Sequence, residues 1–411
     1  MGKDPRRIAL LLLAAHILSM LGFSTFAALL PELRAEWHLT NSEAGVIAGM
    51  FFAGYVATVS YWTALTDRVD PRRIYLSGSL LACAGSAGFG WLAQGLASAL
   101  LFQILFGAGI AATYMPGLRL LSDRVSGAAA QSRYIAFYTS FFGIGTALSF
   151  ALAGAIAPLG GWRAAFLFSA VGPLLAGALA FFGLKRDRRP SAPRLRFSLG
   201  ALFPLGAWRR VLAVRAAAGY TLGYAVHCVE LFGSRGWIVA FLAFSAGLHA
   251  GGASYPWNLA AIAAVVNLLA VPASIIGNEM ALRIGRRRWI LMVMSASGSC
   301  GILLAFAAPL HWGVVFALLL VYSMLVMGES ATLTAGMVAA APPELRGAAM
   351  GLYSLAGFGG GMLGPVVFGA ALDAAGGAGS TFGWVFGYAA IGSGCLLAPL
   401  AARLFARRAA A

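Results

Sequence analysis

Apolar runs of about 20 residues, separated by short polar or basic stretches, recur about twelve times along this chain. An α-helix rises 1.5 Å per residue, so each run matches the roughly 30 Å hydrocarbon core of a bilayer. The pattern predicts helical spans over 8–31, 43–63, 74–94, 97–118, 134–157, 163–184, 213–245, 257–278, 288–308, 312–338, 347–371 and 382–405. The longest polar interruption is residues 185–210, KRDRRPSAPRLRFSLGALFPLGAWRR, which divides six spans from six.

Composition supports this reading. The 411 residues are 60% hydrophobic and 10% charged, whereas soluble domains carry about 25% charge. The class is therefore an all-α, polytopic membrane protein. The first run lacks a small-residue cleavage site followed by polar sequence, so it reads as a span and not as a removable signal.

A formal charge of +16 would suggest nucleic acid in a soluble protein. Its distribution points elsewhere. With the N-terminus inside, only Arg34, Arg163 and Arg235 of the 29 Lys and Arg residues fall outside cytoplasmic segments. The positive-inside rule then puts both termini in the cytoplasm and the basic loops against anionic lipid. The high Ala, Gly and Arg usage suggests a bacterial inner membrane. No nucleic-acid partner is expected, and the chain reads as a monomer.

Cys83, Cys228, Cys300 and Cys395 lie far apart inside predicted spans. They read as packing residues, with neither disulfide nor metal-ligand spacing. No Gly-rich loop with lysine is present for nucleotide phosphates. An enzyme, a metal site, a bound cofactor and an ATP-driven pump are therefore not expected.

The two halves echo each other. DRVDPRRIYL follows the second span and ALRIGRRRWIL the eighth; FFGIGTALSFALAG in the fifth matches GFGGGMLGPVVFGA in the eleventh. Each offset is about 215 residues, and an even number of spans keeps both copies in one orientation. The expected domains are residues 1–184, a basic linker at 185–212, and residues 213–411.

This organisation resembles the major facilitator superfamily over essentially the whole chain. Its most specific element is the loop after span two, where that family carries a pattern like G-x-L-a-D-r-x-G-r-k. Here the stretch is TALTDRVDPRR, in which Leu65, Asp67, Arg68 and Arg72 match, while Thr63 and Asp70 replace glycines and Pro71 a basic residue. The resemblance implies two six-helix pseudo-symmetric bundles, with Asp67, Arg68 and Arg72 forming a cytoplasmic latch. The plainer reading is a tight basic turn. In the second-half copy Leu282 stands at the aspartate position, and Glu279 is spaced to pair with Arg283.

Two departures matter. Gln103 stands where many proton-linked members carry an arginine in span four. The G-x-x-x-G-P pattern of drug antiporters is absent from span five and occurs in span eleven, at Gly360, Gly364 and Pro365. Close helix packing explains these glycines equally well.

A charged residue at a bilayer centre costs at least about 2.5–3.5 kcal/mol, so the few polar residues inside spans are candidate sites. On span seven Tyr220, Gly223, Tyr224, His227, Glu230 and Ser234 form one stripe at helical spacing. Arg235 lies off the stripe, and a kink at Gly233 or Gly236 would swing it inward. The alternative is a structural Glu230–Arg235 pair with His227 beside it. Span ten carries Glu329 with no basic residue near it in sequence, which is what a proton-coupling site needs. His16 on span one, Gln103 and Tyr114 on span four and Asn267 on span eight complete the candidates, each also readable as packing. Spans one, four, seven and ten line the central cavity in the superfamily.

The reading is a secondary transporter of a small polar, anionic or zwitterionic solute, working by alternating access and coupled to protons. His227 and Arg235 would bind the solute, and Glu230 and Glu329 would carry protons. Proton-coupled efflux of amphipathic drugs is the first alternative, supported by 27 Phe and 12 Met residues. A non-transporting membrane sensor or scaffold is the second.

Overall fold

The computed structural model describes residues 5–66, 68–124, 128–186, 203–249 and 255–407, and among these every regular element is a helix. In order they are α1 (Pro5–Ser19), α2 (Thr25–Ala28), α3 (Leu30–Glu36), α4 (Asn41–Leu65), α5 (Pro71–Leu92), α6 (Leu96–Arg124) and α7 (Ala128–Gly183). Then follow α8 (Leu205–Ala213), α9 (Arg215–Gly247), α10 (Leu259–Ile284), α11 (Arg286–Phe306), α12 (Trp312–Gly328), α13 (Ser330–Ala340), α14 (Arg346–Ala374) and α15 (Thr381–Arg407). Among the described residues, nine helices are long and apolar enough to cross a membrane.

One of the nine, Ser140–Gly183 within α7, has 44 residues, about twice a bilayer's requirement. It divides at Gly160 and Gly161, and Gly161 has φ 74°, a left-handed conformation that glycine adopts without Cβ strain. The expected spans 134–157 and 163–184 lie on either side. The first expected span is divided among α1, α2 and α3, with turns between Met20 and Ser24.

The helices gather into two compact units. The first is Met1–Leu29 with Met50–Phe203, the second Leu30–Gly49 with Pro204–Ala411. In the first unit α5 packs on α6 and α7, and α1 packs on α7. Small residues let backbones approach: Gly107 sits against the Phe51 carbonyl and Gly54 against that of Ile104. Phe89 and Phe166 stack with ring centroids 4.0 Å apart.

In the second unit α9 packs along α14, α11 along α15, and α10 along α12. The glycine pattern of α14 serves the first of these contacts. Gly360 lies against the Ala225 carbonyl and Gly364 against that of Val229. Large apolar side chains such as Trp91, Leu159 and Phe182 point outward, 78%, 84% and 81% exposed, as lipid contact requires.

The break expected in α9 at Gly233 and Gly236 is absent. The helix runs unbroken for 33 residues, and these glycines pack against Gly364 and the Pro365 ring. The interruption falls in the tenth expected span, where Glu329 separates α12 from α13 with φ −102° and ψ −17°. The Gly328 carbonyl there accepts a hydrogen bond from the Trp289 indole at 2.8 Å. A long side chain from a neighbouring helix thus satisfies backbone that the break leaves open, as irregular backbone at membrane depth demands.

Candidate functional site

The second unit buries an acid–histidine cluster. On α9, His227 and Glu230 stand three residues apart, so both point from one face of the helix. Nδ1 of His227 lies 3.0 Å from Oε1 of Glu329, and both side chains are fully buried. Glu230 turns to α11, where Ser297 donates its hydroxyl to Oε2 at 2.8 Å. Among the described residues three polar atoms of the cluster have no hydrogen-bond partner: Nε2 of His227, Oε1 of Glu230 and Oε2 of Glu329. Buried polar groups are almost always satisfied, so unpartnered atoms gathered in one region are the mark of a place that receives a ligand, a water or a proton.

Aromatic and hydroxyl groups frame the cluster. Tyr224 stacks on Tyr353 with centroids 3.9 Å apart and lies over His227 at 5.9 Å. The Tyr353 and Thr334 hydroxyls are 3.0 Å apart. Arg235 is half-buried and donates Nη2 to the Met327 sulfur at 3.5 Å. Among the described residues no carboxylate lies within ion-pair distance of Arg235, so the guanidinium keeps most of its donors for another acceptor.

These contacts change two sequence expectations. Glu329 has a basic partner after all, His227, brought to it from another helix. The Glu230–Arg235 pair offered as an alternative does not form; Glu230 bonds Ser297 and Arg235 bonds Met327. Ser297 was missed because a serine among small residues in α11 reads as a packing position. Asn267 is buried on α10 and donates back to the Ala263 carbonyl at 2.8 Å, within its own helix.

His16, Gln103 and Tyr114 belong to the first unit. His16 is fully buried in an aromatic nest, stacked on Tyr138 at 4.4 Å and 5.2 Å from the Tyr114 ring. Among the described residues neither ring nitrogen of His16 has a hydrogen-bond partner. Gln103 is buried on α6 and, among the described residues, has no hydrogen bond to His16.

The sequence model of the Major Facilitator Superfamily matches residues 12–365. This chain belongs to that superfamily. Membership makes it a multi-pass membrane protein of a transporter family. Relatives include the niacin transporter NiaP of Acinetobacter baylyi, 26% identical over 147 residues that cover 34% of this chain and 32% of the relative. The uncharacterized transporter YgaY of Escherichia coli O157:H7 is 28% identical over 196 residues, 46% of this chain and 48% of the relative. The chain thus spans about a third to about a half of the length of these curated relatives.

Superfamily transporters of known structure share the fold. A bacterial homolog of the human lysosomal transporter Spinster, inward-facing and unoccupied, superposes with a TM-score of 0.74 at 16% identity, covering 97% of this chain and 95% of that one. The peptide transporter POT in complex with sulfate gives 0.74 at 13% identity, covering 99% of each chain.

The loop after span two carries the residues expected to form a latch. Asp67 lies outside the described residues. Arg72 is bound inside its own unit: it grips both Asp70 oxygens, donates to the Phe181 and Leu184 carbonyls at 3.3 and 2.7 Å, and lies over the Phe181 ring. It therefore closes the C-terminal end of α7, where a cation is favoured by free carbonyls. Arg68 follows the end of α4 and is half-buried. Glu279 and Arg283 are exposed on α10, one turn apart, with no ion pair between them.

Proposed function

We propose that this protein is a secondary active transporter that moves a small anionic or zwitterionic solute by alternating access and couples the movement to protons. The observation that carries this reading is the buried His227–Glu329 pair, in which each residue keeps one polar atom unpartnered among the described residues. A proton taken up or released there changes the charge of a closed, low-dielectric site, so occupancy by a charged solute and by a proton become linked. Glu230, held by Ser297, is the second proton carrier. Arg235 is the anchor for a solute carboxylate, because among the described residues its fork of donors meets no carboxylate.

In this reading residues 1–184 and 213–411 are the moving halves and 185–212 the linker. Asp67, Arg68 and Arg72 form the cytoplasmic latch, with Glu279 and Arg283 as its second-half counterpart. The protein is a monomer in a bacterial inner membrane with both termini in the cytoplasm, and it uses no cofactor.

The test is proton flux into proteoliposomes that contain a pH-sensitive dye, challenged with small carboxylates, amino acids and lipophilic cations. The niacin transporter among the relatives puts niacin in the panel. An anion-dependent pH change that Glu329→Gln abolishes is the expected result. A response to lipophilic cations alone would replace this reading with drug efflux.

A further inference from the structure

Arg235 meets its neighbouring helix through a sulfur atom. From α9 its Nη2 donates to Sδ of Met327 at 3.5 Å, and Met327 stands in the last turn of α12, just before Glu329. Both side chains are half-buried in the second unit. The last carbonyls of a helix favour a cation, so this end of α12 suits the guanidinium. The thioether adds a weak acceptor that carries no charge. A carboxylate at position 327 would neutralise Arg235 permanently, and leucine would fill similar space with no acceptor. Methionine engages one donor lightly and leaves the charge for a solute.

Sulfur is also the oxidisable atom of this contact. A peroxide converts a thioether to a sulfoxide: a sulfur lone pair attacks one peroxide oxygen, the S–O bond forms and the O–O bond breaks. Sulfur gives up two electrons, and the second oxygen leaves as hydroxide, which takes the proton of the first and becomes water. The product is polar where the thioether was apolar, and sulfoxide reductases restore the thioether. Its oxygen carries partial negative charge and accepts hydrogen bonds strongly. At position 327 that oxygen arises on an atom already touching Arg235. The unbranched side chain has three rotatable bonds with which to aim it. The resulting bond to a guanidinium is charge-assisted, a class roughly twice as strong as neutral hydrogen bonds.

We propose that Met327 is an oxidation site that locks Arg235: its sulfoxide oxygen takes the guanidinium and withdraws it from the solute. This deepens the reading above and rests on Arg235 as the solute anchor. The modifying reagent is a peroxide. The lock needs no movement of a helix, because the guanidinium keeps its place and changes only the atom it bonds.

The first readout needs no solute. The full chain in proteoliposomes is treated with hydrogen peroxide, and conversion of Met327 is followed by peptide mass spectrometry beside Met292 and Met324, which are 51% and 38% exposed. The rate at which phenylglyoxal, an arginine reagent, labels Arg235 is then measured on the same protein. It should slow about tenfold once Met327 is oxidised, the scale of one hydrogen bond to a charged group. In Met327→Leu, whose remaining methionines still oxidise, peroxide should leave the labelling rate of Arg235 unchanged. The proposal is overturned if Met327 stays reduced while Met292 and Met324 convert, or if its oxidation leaves Arg235 labelling as it was. The second readout is flux of niacin, or of whichever carboxylate in the panel is carried. Its apparent affinity should fall about tenfold in the oxidised wild type and stay insensitive to peroxide in Met327→Leu. Slowed labelling with undiminished flux removes both the lock and the anchor role, whereas unchanged labelling removes the lock alone.

Discussion

His227 and Glu329 meet through Nδ1 and Oε1 at 3.0 Å, fully buried and 102 residues apart in sequence. Neither group can be removed without leaving the other unpartnered in low dielectric. Glu329→Gln keeps a side-chain oxygen for the imidazole, so it should fold normally and lose proton-coupled flux. Glu329→Ala should lower stability by about 1–3 kcal/mol. Thermal unfolding of purified protein alongside dye-based flux separates the two effects. Normal coupling in the Gln variant would remove Glu329 from the proton path.

Arg235 calls for a different contrast. Among the described residues its side chain neutralises no carboxylate, so Arg235→Ala should leave the unfolding temperature nearly unchanged. Solute affinity should fall about tenfold to a hundredfold, the loss of one hydrogen bond to a charged group. Arg235→Lys should recover part of it, since lysine supplies the charge without the fork. Direct binding measured by calorimetry would check this, and wild-type affinity in the alanine variant would rule out the anchor role.

The glycines of α14 offer a test of packing. A Cβ at Gly364 would drive into the Val229 carbonyl, whereas nothing lies near a Cβ at Gly359. Gly364→Ala should therefore destabilise by about 1–3 kcal/mol through overpacking. Gly359→Ala should be neutral or slightly stabilising, because alanine favours helix over glycine by up to about 1 kcal/mol. Thermal unfolding of the two variants side by side would show whether close approach to α9 is what these glycines serve.

Asp70 gives a pH signature outside the spans. Burial raises its carboxyl, but the hydrogen bonds and charge of Arg72 outweigh that and hold it below the ordinary aspartate range. The folded-state value is depressed, so its contribution to stability is present above the unfolded value and is lost as pH falls through the folded one. Asp70→Asn should accordingly be less stable than wild type at neutral pH. The gap should narrow as the pH drops below about 4. Unfolding temperatures across an acid series would reveal a constant gap if Arg72 does not hold this carboxylate.

Much of the architecture was legible because a bilayer dictates the length of each apolar run. The candidate residues were legible for the same reason: His227, Glu230, Arg235 and Glu329 are expensive where they stand. Their pairing was not. A helical stripe gives the neighbours of a residue on its own helix, and Glu329 finds its histidine on another. Ser297 carried no signal among small helix residues. Arg72 was read as part of a latch, and its place against the end of α7 depends on a tertiary contact with Phe181 and Leu184 that no local spacing encodes.

The indole of Trp289, bonded to the Gly328 carbonyl beside Glu329, gives the chain a built-in optical probe. Indole emission responds to the field and hydrogen bonding at its nitrogen. A change of charge at Glu329, one residue from that carbonyl, should therefore shift the spectrum. Nine other tryptophans contribute to the signal, since the chain has ten, so the wild-type minus Trp289→Phe difference isolates the reporter. Events at the core of the second unit can then be watched by fluorescence before any transported compound has been found.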